Sequence, residues 1–206
     1  MEVIIALCLG ITLSAACGFR VFVPPLAMSL AAIYGHFPLS SGFEWLGTPE
    51  AAIALGIATL FEVSAYYIPL VDNLLDTVQV PVAVGIGTVM TAATLGHTDP
   101  VLQWTLAAIA GGGTAGLMGT LASLTRLAST GVTGGLGNFL VATVEAVGSI
   151  SLSILGLTFP LWTAAVLIAV LIVAVITLLT NPPKIFKNVM GKGVMGKKSA
   201  EVSSSD

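Results

Sequence analysis

The sequence predicts an all-α fold, a polytopic membrane helical bundle of about six spans with broken or re-entrant first and fourth segments. Three observations carry this. Of 206 residues, 56% are hydrophobic and 8% are charged, whereas a soluble domain carries about 25% charged residues. The mean hydropathy is +1.02, which leaves too little polar side chain to dress a water-facing surface. Long apolar runs alternate with short turns marked by glycine, proline and aspartate.

The first apolar run, Val3 to Gly35, is 33 residues long. As a single helix it would extend about 50 Å, too long for a straight crossing of a hydrocarbon core of about 30 Å. Residues 2–17 and 26–36 read as helix. Gly18 to Pro25 reads as a break, because Pro24 and Pro25 lack amide donors and push the residue before each out of helical geometry. The run is either one tilted, broken span or a hairpin whose second half folds back. His36 to Thr48 is a polar loop, and its Phe43 and Trp45 suit a membrane interface. Pro49 with Glu50 opens a helix that runs to Ile68. Pro69 to Val78 reads as a short amphipathic link, and Pro81 opens a span ending near Gly96. After the turn His97 to Pro100, residues 101–128 form a second overlong run, interrupted by Gly111-Gly112-Gly113 and closed by Arg126. Gly131 to Gly137 is a glycine-rich turn, Asn138 to Leu157 a span, and Leu161 to Thr180 the most uniformly apolar segment. Asn181-Pro182-Pro183 stops it.

The membrane domain therefore covers residues 1–181, and residues 182–206 read as a disordered, basic tail. Five of the seven basic residues follow residue 183. The positive-inside rule places that tail in the cytoplasm, and counting back over six spans brings the N-terminus there too. Residues 37–48, 97–100 and 158–160 are then expected outside. The start Met1-Glu2-Val3 lacks a basic n-region, so no secretory signal peptide is expected. Residues 1–97 and 98–181 share an order: an overlong broken helix, a helix with one glutamate, a plain helix. That is the plan of a 3+3 inverted repeat, a form common among secondary transporters.

Arg20 stands in the middle of the first run. Arginine stays protonated, and at membrane depth it survives only facing a protein interior, a water-filled cavity or an acidic partner. Two acids lie in apolar spans. Glu62 shares a helical face with Ala58, Thr59, Ala65, Tyr66 and Pro69; Glu145 shares one with Asn138, Ala142, Ser149 and Gly156. Two such faces meeting would line a polar seam. Each carboxylate there has three readings: it binds a cation, carries a proton, or neutralises Arg20 or Arg126. Arg20 is expected within reach of Glu62 or Glu145. Asp72 and Asp76 lie four residues apart, on one face if helical, and suit either a cation-attracting mouth or a solvated loop. The candidate substrate- or ion-binding residues are thus Arg20, Glu62, Tyr66, Asp72, Asp76, Arg126, Asn138 and Glu145. The helix-break candidates are Gly18, Pro24, Pro25, Gly111, Gly112 and Gly113.

Other chemistries find little support. No Ser/His/Asp or Cys/His constellation occurs at consistent depth, so no enzyme is expected. The glycine triplet lacks the Lys-Ser or Lys-Thr of a phosphate loop. His36 and His97 have no second ligand near in sequence, so neither a metal nor a cofactor is expected. Cys8 and Cys17 would face opposite sides of one helix, which disfavours a disulfide. The basic residues form no nucleic-acid patch. The expected partners are the lipid bilayer, an ion or small-molecule substrate, and further copies of the chain.

Several motifs taken together resemble one family. They are Gly18-Phe19-Arg20-Val21-Phe22-Val23-Pro24, Glu62 with Ile68-Pro69, Val71-Asp72 and Leu75-Asp76, then Gly111-Gly112-Gly113, Arg126, Asn138 and Glu145. They span residues from about 5 to 180 and resemble the small bacterial membrane proteins grouped as the domain of unknown function 4126 family. The resemblance implies a six-span protein of a bacterial plasma (inner) membrane and names no activity.

Two functions remain open on the residues. One is a small transporter or ion-conducting protein, in which Glu62 and Glu145 line a polar seam with Arg20 beside it. The other is a non-transporting structural, assembly or lipid-organising protein, in which the buried charges form ion pairs.

Overall fold

The computed structural model describes residues 2–35, 37–96 and 98–180, with the side chains of residues 69–74, 76, 178 and 179 outside that description. His36, His97 and the tail at 182–206 lie outside the described residues. The helices are α1 (Glu2–Phe19), α2 (Val23–Gly35), α3 (Pro49–Ala65), α4 (Pro69–Thr94), α5 (Pro100–Leu106), α6 (Gly113–Thr133), α7 (Asn138–Thr158) and α8 (Pro160–Thr180). Among the described residues all regular structure is helical, including a π-helical stretch between α5 and α6. Five helical stretches are long and apolar enough to cross a membrane: Glu2–Phe19, Thr77–Thr94, Pro100–Thr133, Asn138–Thr158 and Pro160–Thr177. The apolar α2 is shorter, at 13 residues.

The chain divides into two compact units, Met1–Ala165 and Val166–Asp206. The described part of the second is the remainder of α8, a helix whose Val170, Ile172, Val173 and Ile176 side chains are exposed. Everything that follows concerns the first unit.

There α1 packs on α4, α6 and α7. It runs antiparallel to α4, since Gly10 meets Thr91 and Thr94, Ser14 meets Gly87, and Gly18 meets Gln79. Glycine sets these distances. A Cβ on Gly10 would sit 2.9 Å from the Thr91 Cα, and one on Gly18 would sit 2.8 Å from the Ala115 carbonyl oxygen. Small residues let helices approach this closely, and the gain is dispersion contact rather than expelled water, because lipid is as apolar as the helix surface.

The break in the first run lies at Arg20–Phe22, between α1 and α2. Pro24 and Pro25 do not cause it. They are buried in the first turn of α2, where a missing amide costs no hydrogen bond and a fixed φ favours the helix. They start a helix rather than end one.

After α2 the chain returns to the end it came from. Phe37 and Leu39 border a cavity of about 420 Å³ together with Glu2, Leu9, Thr94 and Thr98. The Ser40 N–H donates to the Ala93 carbonyl at 2.9 Å. Val3 to Gly35 is therefore a re-entrant hairpin with its apex at the break, not a single tilted span. Glu2 consequently lies on the same end of the unit as the 37–48 loop and the turn after α4, where the sequence placed it on the opposite one.

The second overlong run differs from expectation in another way. It is helical throughout, with residues Ala107–Gly112 in π-helix. The glycines do not break it. A Cβ on Gly111 would lie 2.2 Å from the Thr91 Oγ1, and one on Gly112 2.6 Å from the Thr88 Oγ1, whereas Gly113 faces open space. The first two are glycine so that α4 fits against them. Pro81 falls inside α4, so the link expected at residues 69–78 is the beginning of that helix. Gly131 is helical, and α6 ends at Gly134, whose φ of 64° is the left-handed geometry that favours glycine.

Candidate functional site

The break at Arg20–Phe22 leaves the carbonyls that end α1 and the amides that open α2 without helical partners. Side chains from two other helices fill both sets. The Gln79 Nε2 donates to the carbonyls of Gly18 and Phe19, each at 3.1 Å. The Val21 N–H donates to the Glu62 Oε1 at 2.6 Å, and the Phe22 N–H to the Glu62 Oε2 at 3.0 Å. Glu62 thus caps α2 from α3, with one carboxylate oxygen on each amide and its charge at the positive end of the helix dipole.

Arg20, at the apex itself, is fully buried. Its Nη2 donates to the Ala142 carbonyl at 2.7 Å and lies 3.6 Å from the Glu145 Oε2. Its Nε and Nη1 are buried and have no hydrogen-bond partner. Arg126, reaching in from α6, meets Glu145 through Nε at 3.1 Å from each oxygen and through Nη2 at Oε2. Glu145 therefore serves both arginines. The guanidinium carbons of Arg20 and Arg126 lie 3.9 and 4.1 Å from the centroid of the Tyr66 ring. A cation over an aromatic face gains about 2 kcal/mol when desolvated, so Tyr66 offsets part of the burial cost of both charges.

The α7 face that carries Glu145 is buried, but it packs on α1 and α2, so the seam expected from the Glu62 and Glu145 faces meeting is not formed. The buried residues of α7 are Asn138, Ala142, Glu145, Ser149, Ser153 and Gly156. The Ser149 Oγ donates to the Ala16 carbonyl at 2.9 Å, which ties α7 to the last turns of α1.

The structure brings five of the eight sequence candidates together: Arg20, Glu62, Tyr66, Arg126 and Glu145. Arg20 is indeed within reach of Glu145, but Glu62 caps backbone amides. Asn138 exchanges hydrogen bonds with Thr130 across the turn between α6 and α7. Asp72 and Asp76 are on the first turns of α4, and their side chains lie outside the description. Gln79 was not singled out. It is the lone amide in Thr77-Val78-Gln79-Val80-Pro81, and a buried amide in an apolar stretch is itself a signal that a backbone group needs a partner. Among the described residues no group of three or more His, Cys, Asp or Glu is placed to hold a metal. The 420 Å³ cavity is bordered by residues other than the cluster.

A family model described as "Domain of unknown function (DUF4126)" matches residues 7–180. No curated protein and no solved structure matches the chain.

Proposed function

The chain belongs to the domain of unknown function 4126 family, and because that description names no activity, we propose a function from the site: passage of a small ion or solute across the membrane by way of the hairpin break. The observation that carries this reading is the re-entrant hairpin. Non-helical backbone at membrane depth is tolerated where it is buried in protein or lines a cavity, and discontinuous helices with their ends near the midplane are where transporters hold substrate. Here such a break carries a fully buried arginine with two unused donors, and intramembrane ionisable groups are functional by default.

The test is flux. Proteoliposomes loaded with potassium chloride should release potassium or chloride faster than protein-free liposomes, and Arg20→Gln should lose that release. Release that is absent in the wild type, or equal in the variant, would overturn the proposal.

A second reading rests on the capping itself. Glu62 completes the break and Glu145 neutralises two arginines, so both acids have structural work in a non-transporting protein. It is favoured if flux is absent while Glu62→Gln and Glu145→Gln destabilise the fold.

We place the protein in the bacterial inner membrane, without a cofactor or enzymatic activity, with its lysine-rich segment in the cytoplasm. The 37–48 loop and the 97–100 turn face outward in that reading. Glu2, which shares their end, then faces outward as well.

A further inference from the structure

We propose that the cavity between the start of α1, the 37–39 segment and the end of α4 binds a lipophilic ammonium ion, with the hydrocarbon inside and the charge at Glu2. The site shares no residue with the cluster at the break and does not depend on the permeation reading. The cavity measures about 420 Å³, within the range of about 300–1,000 Å³ usual for small-molecule sites. Its walls are mostly apolar, with Val3, Ile5, Leu9, Phe37, Leu39 and Leu95 among them. Leu9 and Leu95 are buried and form the inner end, whereas Glu2 and Val3 are exposed and form the rim. Such a cavity has the polarity of an amphiphile. For a guest that arrives from the bilayer, apolar walls add little, because lipid is as apolar as they are. The few polar groups therefore decide which amphiphile is held.

Those groups favour positive charge and N–H donors. Glu2 is the charged residue among the described residues that border the cavity. Two hydroxyls border it as well, and both direct their protons elsewhere. The Thr94 Oγ1 donates to the Thr91 carbonyl and the Thr98 Oγ1 to the Leu95 carbonyl, each at 2.8 Å. What they offer a guest is lone pairs. The Leu95 and Gly96 amides are also engaged, with the Ala92 and Thr94 carbonyls. The cavity adjoins the C-terminal end of α4, a 26-residue helix, where the dipole is negative and cations are favoured. The positive end of α1 lies at the same rim, and Glu2 in its first turn offsets it. A primary ammonium, protonated at neutral pH as lysine is, suits the carboxylate and both hydroxyl oxygens. A carboxylate guest is opposed by Glu2, and a neutral one leaves its charge unanswered.

The experiment is a thermal-unfolding titration of the full chain in a non-ionic detergent, with octylammonium chloride, octanol and sodium octanoate as probes at constant ionic strength. A ligand that binds only the native state raises its midpoint in a saturating way. The wild type should show a saturating rise with octylammonium and a much smaller one with octanol or octanoate. Glu2→Lys should reverse the order, octanoate now giving the larger rise. Ala6→Phe, which puts a ring into the cavity, should remove the rise with octylammonium. Equal rises for octylammonium and octanol in the wild type would mean a cavity that takes any hydrocarbon, a lipid tail included, and would overturn the proposal. The absence of a saturating rise, an order unchanged by Glu2→Lys, or a rise that survives Ala6→Phe would overturn it too. Should Ala6→Phe fail to fold, Glu2→Lys carries the test, since Glu2 is exposed and its replacement leaves the packing in place.

Discussion

Glu145 holds two guanidinium groups with one carboxylate, and that makes it the residue whose loss should be felt most. Removing one partner of a buried ion pair costs about 3–5 kcal/mol, because the charge left behind has no water to turn to. Glu145→Gln is therefore expected to lower unfolding stability by an amount of that order. Arg126→Gln on top of it should cost much less than it does alone, since groups in one network are not additive. Equal, additive losses in the four-variant cycle would show that the pair observed at Arg126 and Glu145 is energetically idle. At this scale the sequence was informative about where charge sits and less so about what each charge does. Arg20, Glu62, Arg126 and Glu145 are conspicuous because charge is rare in apolar spans. That Glu62 caps amides while Glu145 takes both arginines depends on how α3 and α7 dock, and spacing along one helix says nothing about docking. Tyr66 is a candidate by its place on the helical face of Glu62, and its ring lies under two cations.

At the scale of elements, the hairpin exists because both faces of its break are capped. Gln79→Leu would strip the partner from the carbonyls of Gly18 and Phe19. An unsatisfied buried polar group costs about 1–3 kcal/mol, so the variant should unfold at clearly lower temperature than the wild type, and Gln79→Asn, which keeps the donor on a shorter side chain, separates donor loss from reach. The glycine triplet gives a cleaner contrast. Gly111→Ala drives a methyl into the Thr91 side chain, whereas Gly113→Ala meets nothing within 4 Å. The first should destabilise by about 1–3 kcal/mol, as overpacking does, and the second should be neutral or slightly stabilising, since alanine is the better helix former. Comparable melting temperatures for the two would contradict the packing described. The prolines and glycines that mark the sequence were visible as punctuation, but their effect was not. Pro24 and Pro25 open a helix and Gly111 and Gly112 admit a neighbour, because the neighbouring helix decides whether such a residue breaks a helix or seats it.

For the whole molecule, the all-helical membrane bundle was plain from composition and run length, while its topology turned on one segment. A 33-residue run too long for a straight crossing is equally compatible with a tilt and a fold-back. Only contacts distant in sequence, such as Ser40 with Ala93, decide for the hairpin. It follows that Glu2→Cys and Ser41→Cys, each introduced after Cys8 and Cys17 are replaced by alanine, should react with an impermeant thiol reagent from the same side of sealed vesicles. Reaction from opposite sides would rule out the re-entrant path. The claim that matters most is that the break serves as a working site rather than a dry structural joint. The most direct measurement is the reaction of Phe22→Cys, in the same cysteine-free background, with a small anionic methanethiosulfonate in proteoliposomes. Phe22 is half-buried beside the Glu62 cap. A site that exchanges solute with water should be labelled. A position that stays unlabelled while an exposed control such as Ser41→Cys reacts fully would mean that the charges hold the fold together and nothing passes between them.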